Sequence, residues 1–150
     1  MAAADDPQIM PSDARSTGHC LCGGVSYAFE GEPAMVAICH CDDCQRHSGA
    51  AFSVNVVVPT AALAIEGSPR VHETIGSDSG QTRRRLFCGD CGSPMFTVLT
   101  EQPDIVIIKA GTLDDRSAVA PTIEMWCRRA QGWVTPEATR ACFDGDPQFG

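Results

Sequence analysis

The sequence lacks long apolar runs and any excess of basic residues. Its longest apolar stretches, such as residues 52–59 and 105–108, fall far short of the ~20 residues that a membrane span requires. Eleven basic residues against nineteen acidic ones give a formal net charge of −8, which disfavours a polyanionic partner. We therefore expect neither a membrane nor a nucleic acid as partner.

A secretory start is also lacking, because residues 1–6 contain no basic region and no apolar stretch. This predicts a cytoplasmic protein, in which a framework of disulfides is disfavoured. Residues 1–17 are rich in Ala, Asp, Pro and Ser and show no periodicity, so we expect a disordered N-terminal tail. A chain of 150 residues with 43% hydrophobic composition suits one core, which leaves residues 18–150 as a single domain.

Cysteine, by contrast, is abundant: there are nine, and seven of them fall into three tight groups. The groups are Cys20 with Cys22, then Cys39, Cys41 and Cys44, and finally Cys88 with Cys91. Thiolates two or three residues apart on a turn can converge on one soft cation, typically Zn²⁺. Gly23 and Gly92 directly follow the two outer groups, and glycine tolerates the positive φ that such turns often need.

The two outer groups together offer four sulfur ligands, which is the composition of a closed structural zinc site. Such a site would join the start of the fold to its middle. Two disulfides, or reduced thiols without a metal, are the alternative.

The middle group offers three thiolates, which leave a tetrahedral ion one ligand short. An open coordination place is typical of catalytic zinc. The alternative is a second closed site, with the fourth bond given by His40, His47, Cys127 or Cys142. We expect His40 to be a packed residue beside the ligands, and Cys127 and Cys142 to be free buried thiols.

Short β-like runs separated by turn residues predict a mainly β fold, since no run shows a sustained 3.6-residue period. The runs span residues 24–29, 34–38, 52–58, 62–65, 70–75, 82–87, 94–99, 104–110 and 122–127. One short helix is expected from Cys44 to Ser48, capped by Asp42 or Asp43 and ended by Gly49.

Three segments carry a family resemblance: GHCLCGGVSY (18–27), CHCDDCQRHSGA (39–50) and FCGDCGSPMF (87–96). With AGTLDD (110–115), Pro121 and Trp133, they resemble the glutathione-dependent formaldehyde-activating enzyme family, which also includes centromere protein V. The resemblance implies a tent-like, zinc-stapled antiparallel β-sheet fold similar to methionine-R-sulfoxide reductases. It also implies two zinc ions, with the structural one at Cys20, Cys22, Cys88 and Cys91 and the catalytic one at Cys39, Cys41 and Cys44.

The activity that the resemblance implies is that of a zinc-dependent carbon–sulfur lyase, which forms or cleaves S-hydroxymethylglutathione from formaldehyde and glutathione. Its partners would be a small-molecule thiol and an electrophile, with glutathione as co-substrate and with a homo-oligomer as one option. The alternative is a non-catalytic zinc-stabilised binding module with both metal sites closed. The chain departs from the family pattern at residues 121–124, where Glu124 stands in place of a frequent histidine that is expected to face the substrate.

An anionic thiol such as glutathione needs local cations on a net-acidic protein. The candidates are Arg46, Arg83, Arg84, Arg85, Lys109, Arg128 and Arg129. Arg46 is preferred because it lies two residues beyond Cys44, and Ser48, Gly49 and Phe52 are predicted to line the pocket with it. Arg83 and Arg85 would share one face of a strand while Arg84 points away. A solvated edge strand is the preferred interpretation of this triplet, and core packing that of Trp126 and Trp133.

Overall fold

The computed structural model describes residues 14–147, which form eleven strands and one α-helix. The strands are β1 (Arg15–His19), β2 (Ser26–Glu30), β3 (Met35–Cys39), β4 (Ser53–Pro59), β5 (Leu63–Glu66), β6 (Arg70–Ile75), β7 (Thr82–Phe87), β8 (Pro94–Leu99), β9 (Ile105–Lys109), β10 (Ile123–Met125) and β11 (Ala141–Cys142). The helix α1 is Asp42–Ser48, and short 3₁₀ turns cover Thr60–Ala62, Ala110–Thr112 and Cys127–Arg129. In this part of the chain, no helix has the length and apolar character needed to cross a membrane.

The strands form two open sheets. A small sheet has the order β1-β2-β5, and a large one has the order β11-β10-β3-β4-β9-β8-β7-β6. Most neighbours are antiparallel, as the sequence predicts, but β10 pairs in parallel with both β3 and β11. The mainly β class is therefore confirmed, while a wholly antiparallel sheet is not.

Strands β6, β7 and β8 have the bounds that the alternating patterns predict. Two short elements differ from the expectation. Strand β1 begins at Arg15 and pairs with β2, so residues 15–17 belong to the small sheet rather than to a tail. Strand β11 is two residues long and carries no pattern. The remainder of the predicted tail, residues 1–13, lies outside the described residues, and the single domain over 18–150 stays a prediction.

The large sheet has two different faces, because successive side chains of a strand point to opposite sides. On one face Val56, Phe96 and Ile108 are almost fully buried against Tyr27 and Phe29 of the small sheet. The Tyr27 and Phe96 rings meet edge to face, with centroids 5.2 Å apart. This layer is the hydrophobic core, and it leaves the other face of the large sheet free to carry polar groups.

Candidate metal sites and active-site cavity

Four cysteines converge where the two sheets meet. Cys20 and Cys22 lie on the turn between β1 and β2, and Cys88 and Cys91 lie on the turn between β7 and β8. Their sulfur atoms are all within 4.8 Å of one another, so they could hold one metal ion. The Sγ atoms of Cys20 and Cys22 are 3.7 Å apart, as are those of Cys22 and Cys88. A disulfide requires about 2.05 Å, so the alternative of two disulfides is wrong.

The two turns have the same local structure, which explains their similar sequences. In each turn a glycine N–H donates back to the first cysteine carbonyl, from Gly23 to Cys20 over 3.1 Å and from Gly92 to Cys88 over 2.8 Å. Both glycines have positive φ, 82° for Gly23 and 81° for Gly92, as predicted. Each turn thereby folds two thiols toward one point, and the cluster connects the small sheet to the large one.

The second cluster lies at the end of β3 and the start of α1. Cys39 is the last residue of β3, Cys41 is the N-cap residue of α1, and Cys44 lies in its first turn. Their sulfur atoms are also within 4.8 Å of one another. The helix ends at Gly49, which has a φ of 66° and caps it as predicted. The predicted caps at Asp42 and Asp43 are wrong, because the Sγ of Cys41 accepts from the Cys44 N–H at 3.3 Å.

Within residues 14–147, no fourth Cys, His or acidic ligand atom joins the three-cysteine cluster. Three of the four fourth ligands considered are engaged elsewhere: His40 is hydrogen-bonded to Glu124, and Cys127 and Cys142 are bonded to each other. The neighbouring thiols of Cys39 and Cys41, together with the Lys109 amine, hold the pKa of the Cys44 thiol far below its usual value. The three sulfur donors would leave one coordination place of a tetrahedral ion open.

Cys127 and Cys142 form a disulfide, with Cα atoms 6.2 Å apart, so the prediction of two free buried thiols is wrong. The bond ties the C-terminal segment to the end of β10, where Phe143 N–H donates to the Glu124 carbonyl. Since the cytosol keeps most thiols reduced, this pair is the feature of the structure that agrees least with the cytoplasmic location expected from the sequence.

Glu124 does not face the candidate site. Its side chain projects to the side of β10 opposite Met125 and is 1% exposed. His40 Nε2 donates to one carboxylate oxygen at 2.7 Å, and the Glu137 N–H and Arg140 Nε donate to the other at 3.0 Å each. Burial alone would raise the pKa of Glu124, but these three hydrogen bonds hold it below the ordinary value. Glu124 therefore does not take the place of a substrate-facing histidine, and the packed His40 is confirmed.

We expect Glu124→Gln to lower the free energy of unfolding by about 2–3 kcal/mol at pH 7, because it leaves Arg140 and His40 without their anionic partner. Zinc content and turnover should stay at the parent level. Denaturant unfolding measures the loss, and Glu137→Gln, an exposed glutamate thirteen residues along the chain, is the matched control. Lost turnover with unchanged stability would show that Glu124 does reach the substrate.

A cavity of about 370 Å³ opens beside the three-cysteine cluster, on the face of the large sheet away from the core. This volume lies within the range of small-molecule sites. All three cysteines line it, together with strand residues whose side chains share that face: Met35, Asn55, Val57, Arg83, Arg85, Thr97, Leu99, Ile105, Ile107 and Lys109. The structure thus places three of the candidate cations, Arg83, Arg85 and Lys109, in one cavity with the thiols.

Arg83 and Arg85 share a face and Arg84 points to solvent, as predicted. The edge-strand interpretation is wrong, however, because β7 lies between β6 and β8. Arg85 is only 8% exposed, and Arg83 pairs with Glu101 at 2.8 Å.

None of the four residues predicted to bind substrate lines this cavity. Arg46 and Gly49 border a separate, more open depression beside the exposed Trp133. The Ser48 hydroxyl donates to the Phe52 carbonyl, and the Phe52 ring packs edge-on against His40. Helix geometry explains the difference: two residues after Cys44 the chain has turned by about 200°, so Arg46 points away from the thiols. The preferred role of Arg46 therefore has no support from its position.

A loop and the C-terminal segment also border the cavity. In the loop at residues 76–80, Ser77 donates to Asp43 of α1 through its N–H and its hydroxyl, at 2.8 Å and 2.7 Å. Asp78 accepts from Arg129 at 2.7 Å. Trp126 is buried as expected, but its indole also lines the cavity and donates to Asp146 at 2.7 Å. These bonds hold the loop against α1, which carries Cys44, and hold Trp126 against the C-terminal segment.

His47, half-buried on α1, lies near a concentration of positive charge. Burial, with added repulsion from Lys109 and Arg85, lowers its pKa to about 4. The imidazole is therefore neutral in the folded protein at pH values where the unfolded chain, with a histidine pKa near 6.5, takes up a proton.

Because protonation favours the unfolded chain, His47 should make the protein less stable as the pH falls from about 6.5 toward 4. We expect His47→Asn to lose less unfolding free energy than the parent between pH 7 and pH 5. Denaturant unfolding at the two pH values measures the difference. The exposed His72, replaced in the same way, serves as control, and identical pH dependence of parent and His47→Asn would contradict the neutral imidazole.

Comparisons with known proteins agree with the cysteine pattern. The sequence profile described as "Glutathione-dependent formaldehyde-activating enzyme" matches residues 15–129. An Aspergillus flavus protein, provisionally named as such an enzyme, is 32% identical over 96 residues, which cover 61% of this chain and 49% of that protein. A Phaeosphaeria nodorum protein with the same provisional name is 32% identical over 78 residues, which cover 52% of this chain and 40% of that protein. The chain thus spans about half the length, or less, of these curated relatives.

The fold also has a counterpart among solved structures. A crystal structure of a Rhodobacter sphaeroides protein matches with a TM-score of 0.50 and 18% sequence identity, covering 70% of this chain and 91% of that one. At this identity the likeness concerns the fold alone. The family profile, in contrast, covers well over half of the chain and includes all seven clustered cysteines. The chain therefore belongs to the glutathione-dependent formaldehyde-activating enzyme family.

Proposed function

We propose that this chain is a zinc-dependent carbon–sulfur lyase that joins glutathione, or another small thiol, to formaldehyde and also catalyses the reverse reaction. One observation carries the proposal: a three-thiol cluster, with no fourth ligand among residues 14–147, opens into a cavity that also contains cationic side chains. The names of the relatives agree with this activity.

Zinc fits both clusters by donor type, and it fits the four-cysteine cluster by distance as well. Two ligands at 2.3 Å from a tetrahedral ion are about 3.8 Å apart, and the measured Sγ–Sγ distances in the four-cysteine cluster are 3.7 Å. In the proposal, Cys20, Cys22, Cys88 and Cys91 hold a structural ion, and Cys39, Cys41 and Cys44 hold a catalytic one. When bound at the three cysteines, zinc would supply positive charge that lowers the pKa of a thiol ligand.

The charge of the donor set favours thiol chemistry over hydrolysis. Three thiolates outweigh a divalent cation by one negative charge, so this site is a weak activator of water and suits a soft sulfur ligand. Arg85 and Lys109 contribute positive charge that attracts an anionic thiol into the cavity. The loop at residues 76–80 and the Trp126 indole form part of the cavity wall around the reacting sulfur.

In the reaction, the thiolate attacks the carbonyl carbon of formaldehyde and forms the carbon–sulfur bond. The carbonyl oxygen takes a proton from water and becomes the hydroxyl group of S-hydroxymethylglutathione. Cleavage reverses both changes. We place this chemistry in the cytoplasm, where glutathione is abundant. Other small thiols and electrophiles are candidate partners for the same cavity.

NMR exchange spectroscopy with ¹³C-formaldehyde and glutathione tests the activity. Zinc-loaded protein should accelerate the interconversion of formaldehyde and S-hydroxymethylglutathione by at least about 100-fold over the solution reaction. Protein stripped of zinc should lose the effect and regain it on reloading. No acceleration by protein that contains two zinc ions would reject the enzyme and favour the non-catalytic binding module.

A further inference from the structure

We propose that Arg85, Thr97 and Lys109 form a carboxylate-binding subsite on the floor of the cavity beside the three-cysteine cluster. The inference rests on the proposed function, because the carboxylate belongs to one of the two reactants that meet at the thiols. It adds a recognition site for part of the substrate that does not itself react.

Strand register brings the three side chains onto one face of the large sheet. Arg85 of β7 pairs with Thr97 of β8, and Thr97 pairs with Ile107 of β9. Lys109 lies two residues beyond Ile107, so its side chain points to the same face and is diagonal to Thr97. All four residues line the cavity. The arrangement places a guanidinium, a hydroxyl and an ammonium group around one patch of the floor.

The polar atoms of this patch have spare hydrogen-bonding capacity. Thr97 is 4% exposed, and its Oγ1 has no partner among the described residues. For Arg85 the described part of the chain supplies one side-chain bond, from Nε to the Thr74 hydroxyl at 3.3 Å. Lys109 Nζ donates to Asn55 Oδ1 at 3.0 Å, whereas an ammonium group has three donors. A buried hydroxyl and two cations are thus left with free donors that face the cavity.

Charge balance points to an anion rather than to a neutral ligand. Over residues 14–147, neither Arg85 nor Lys109 has a carboxylate within 4.0 Å. The acids that border the cavity are already engaged, among them Glu101, paired with Arg83, and Asp78, paired with Arg129. The cysteine cluster offsets only part of this positive charge, because three thiolates with a zinc ion would carry one negative charge against the two cations. Burial lowers the pKa of Lys109, the nearby Cys44 thiol counteracts this, and Arg85 lowers it further.

A carboxylate suits this set of donors, because a guanidinium fork and an ammonium group bind its two oxygens with charge-assisted hydrogen bonds. It can come from two sources. Glutathione carries carboxylates, and an oxo acid such as glyoxylate would bring one on the electrophile, whereas formaldehyde has none. The shared prediction is that the subsite distinguishes a ligand with a carboxylate from the same ligand without it.

Calorimetric titration of the zinc-loaded full chain with glutathione and with glutathione diethyl ester tests the subsite. The parent should prefer glutathione, and Arg85→Gln and Lys109→Met should each weaken its binding about tenfold or more while leaving the ester unaffected. Thr97→Val, which keeps the volume of the side chain, should have a smaller effect in the same direction. Arg84→Gln is the matched control, because it removes the adjacent arginine, which is exposed on the other face.

A second arm compares glyoxylate with formaldehyde as electrophile. In one outcome the variants bind glutathione as the parent does, yet show a higher KM for glyoxylate and an unchanged KM for formaldehyde. In that case the subsite binds the carboxylate of the electrophile. The subsite would be overturned if the variants affected glutathione and its ester equally and glyoxylate and formaldehyde equally. It would also be overturned if the variants affected none of these four ligands. Unfolding curves and zinc content identify any variant that fails to fold. The titration measures binding and needs no turnover. If the protein binds glutathione through this subsite but forms no adduct, the proposed function is rejected and the subsite is retained.

Discussion

Cys20→Ser should unfold the protein or lower its free energy of unfolding by about 5 kcal/mol or more. Structural zinc contributes its binding free energy to folding, about 10–16 kcal/mol in small zinc peptides, while a whole domain is stable by only about 5–15 kcal/mol. Cys20 is 1% exposed, and its cluster connects the turn between β1 and β2 to the turn between β7 and β8. Removing one ligand therefore breaks this connection and leaves the hydrophobic core to hold the small sheet on the large one.

Circular dichroism during thermal unfolding, with zinc content measured on the same sample, checks this effect. Leu21→Ser is the matched control, since Leu21 is the neighbouring residue and its side chain is 85% exposed. A Cys20→Ser protein with parent stability would contradict a structural role for the four-cysteine cluster.

Cys44→Ser should lower turnover more than about 100-fold and leave the fold intact. Loss of groups that merely support a metal ligand already costs about 10–100-fold, so the loss of a ligand should cost more. Cys44 belongs to a cluster formed by the end of β3 and the seven-residue helix α1. Unlike the four-cysteine cluster, it does not connect the small sheet to the large one. The main core, which contains Val56, Phe96 and Ile108, does not include it.

The expected result is one zinc per chain, in place of two, with a cooperative unfolding transition close to that of the parent. Ser48→Ala, a change in the same helix away from the cavity, should retain both ions and full turnover. If Cys44→Ser unfolded as completely as Cys20→Ser, the separation of structural and catalytic clusters would be wrong.

Local chemistry made the cysteine clusters predictable from the sequence. Cys39, Cys41 and Cys44 are close along the chain, so helix and turn geometry alone bring their sulfur atoms together. Gly23 and Gly92 signal the two turns because their backbone conformation suits glycine. Alternating patterns of β-forming residues likewise gave β6, β7 and β8 their correct bounds.

The substrate cavity was less predictable, because its floor depends on strand order and register. Arg85, Thr97 and Lys109 come from three strands, and their shared face appears only once β7, β8 and β9 are paired. Arg46 was preferred for its closeness in sequence to Cys44, which on a helix does not mean closeness in space. The mistaken placement of β7 at an edge had the same origin, since no local pattern reveals that β6 covers it.

Long-range pairs were missed for a related reason. Cys127 and Cys142 are separated by 15 residues and form a disulfide only because β11 pairs with β10. The sequence leaves the role of Glu124 open, because its partners Glu137 and Arg140 follow it in a segment without a regular pattern. A hint was available in the sequence, since a glutamate inside an apolar strand needs buried partners.

X-ray absorption at the zinc edge during titration with glutathione tests the central claim most directly. Anaerobically purified protein should contain two zinc ions per chain, one with four sulfur ligands and one with three. The second should gain a sulfur ligand as glutathione is added. Two ions whose sulfur coordination does not respond to glutathione, or one ion only, would contradict an open thiol-binding site at Cys39, Cys41 and Cys44.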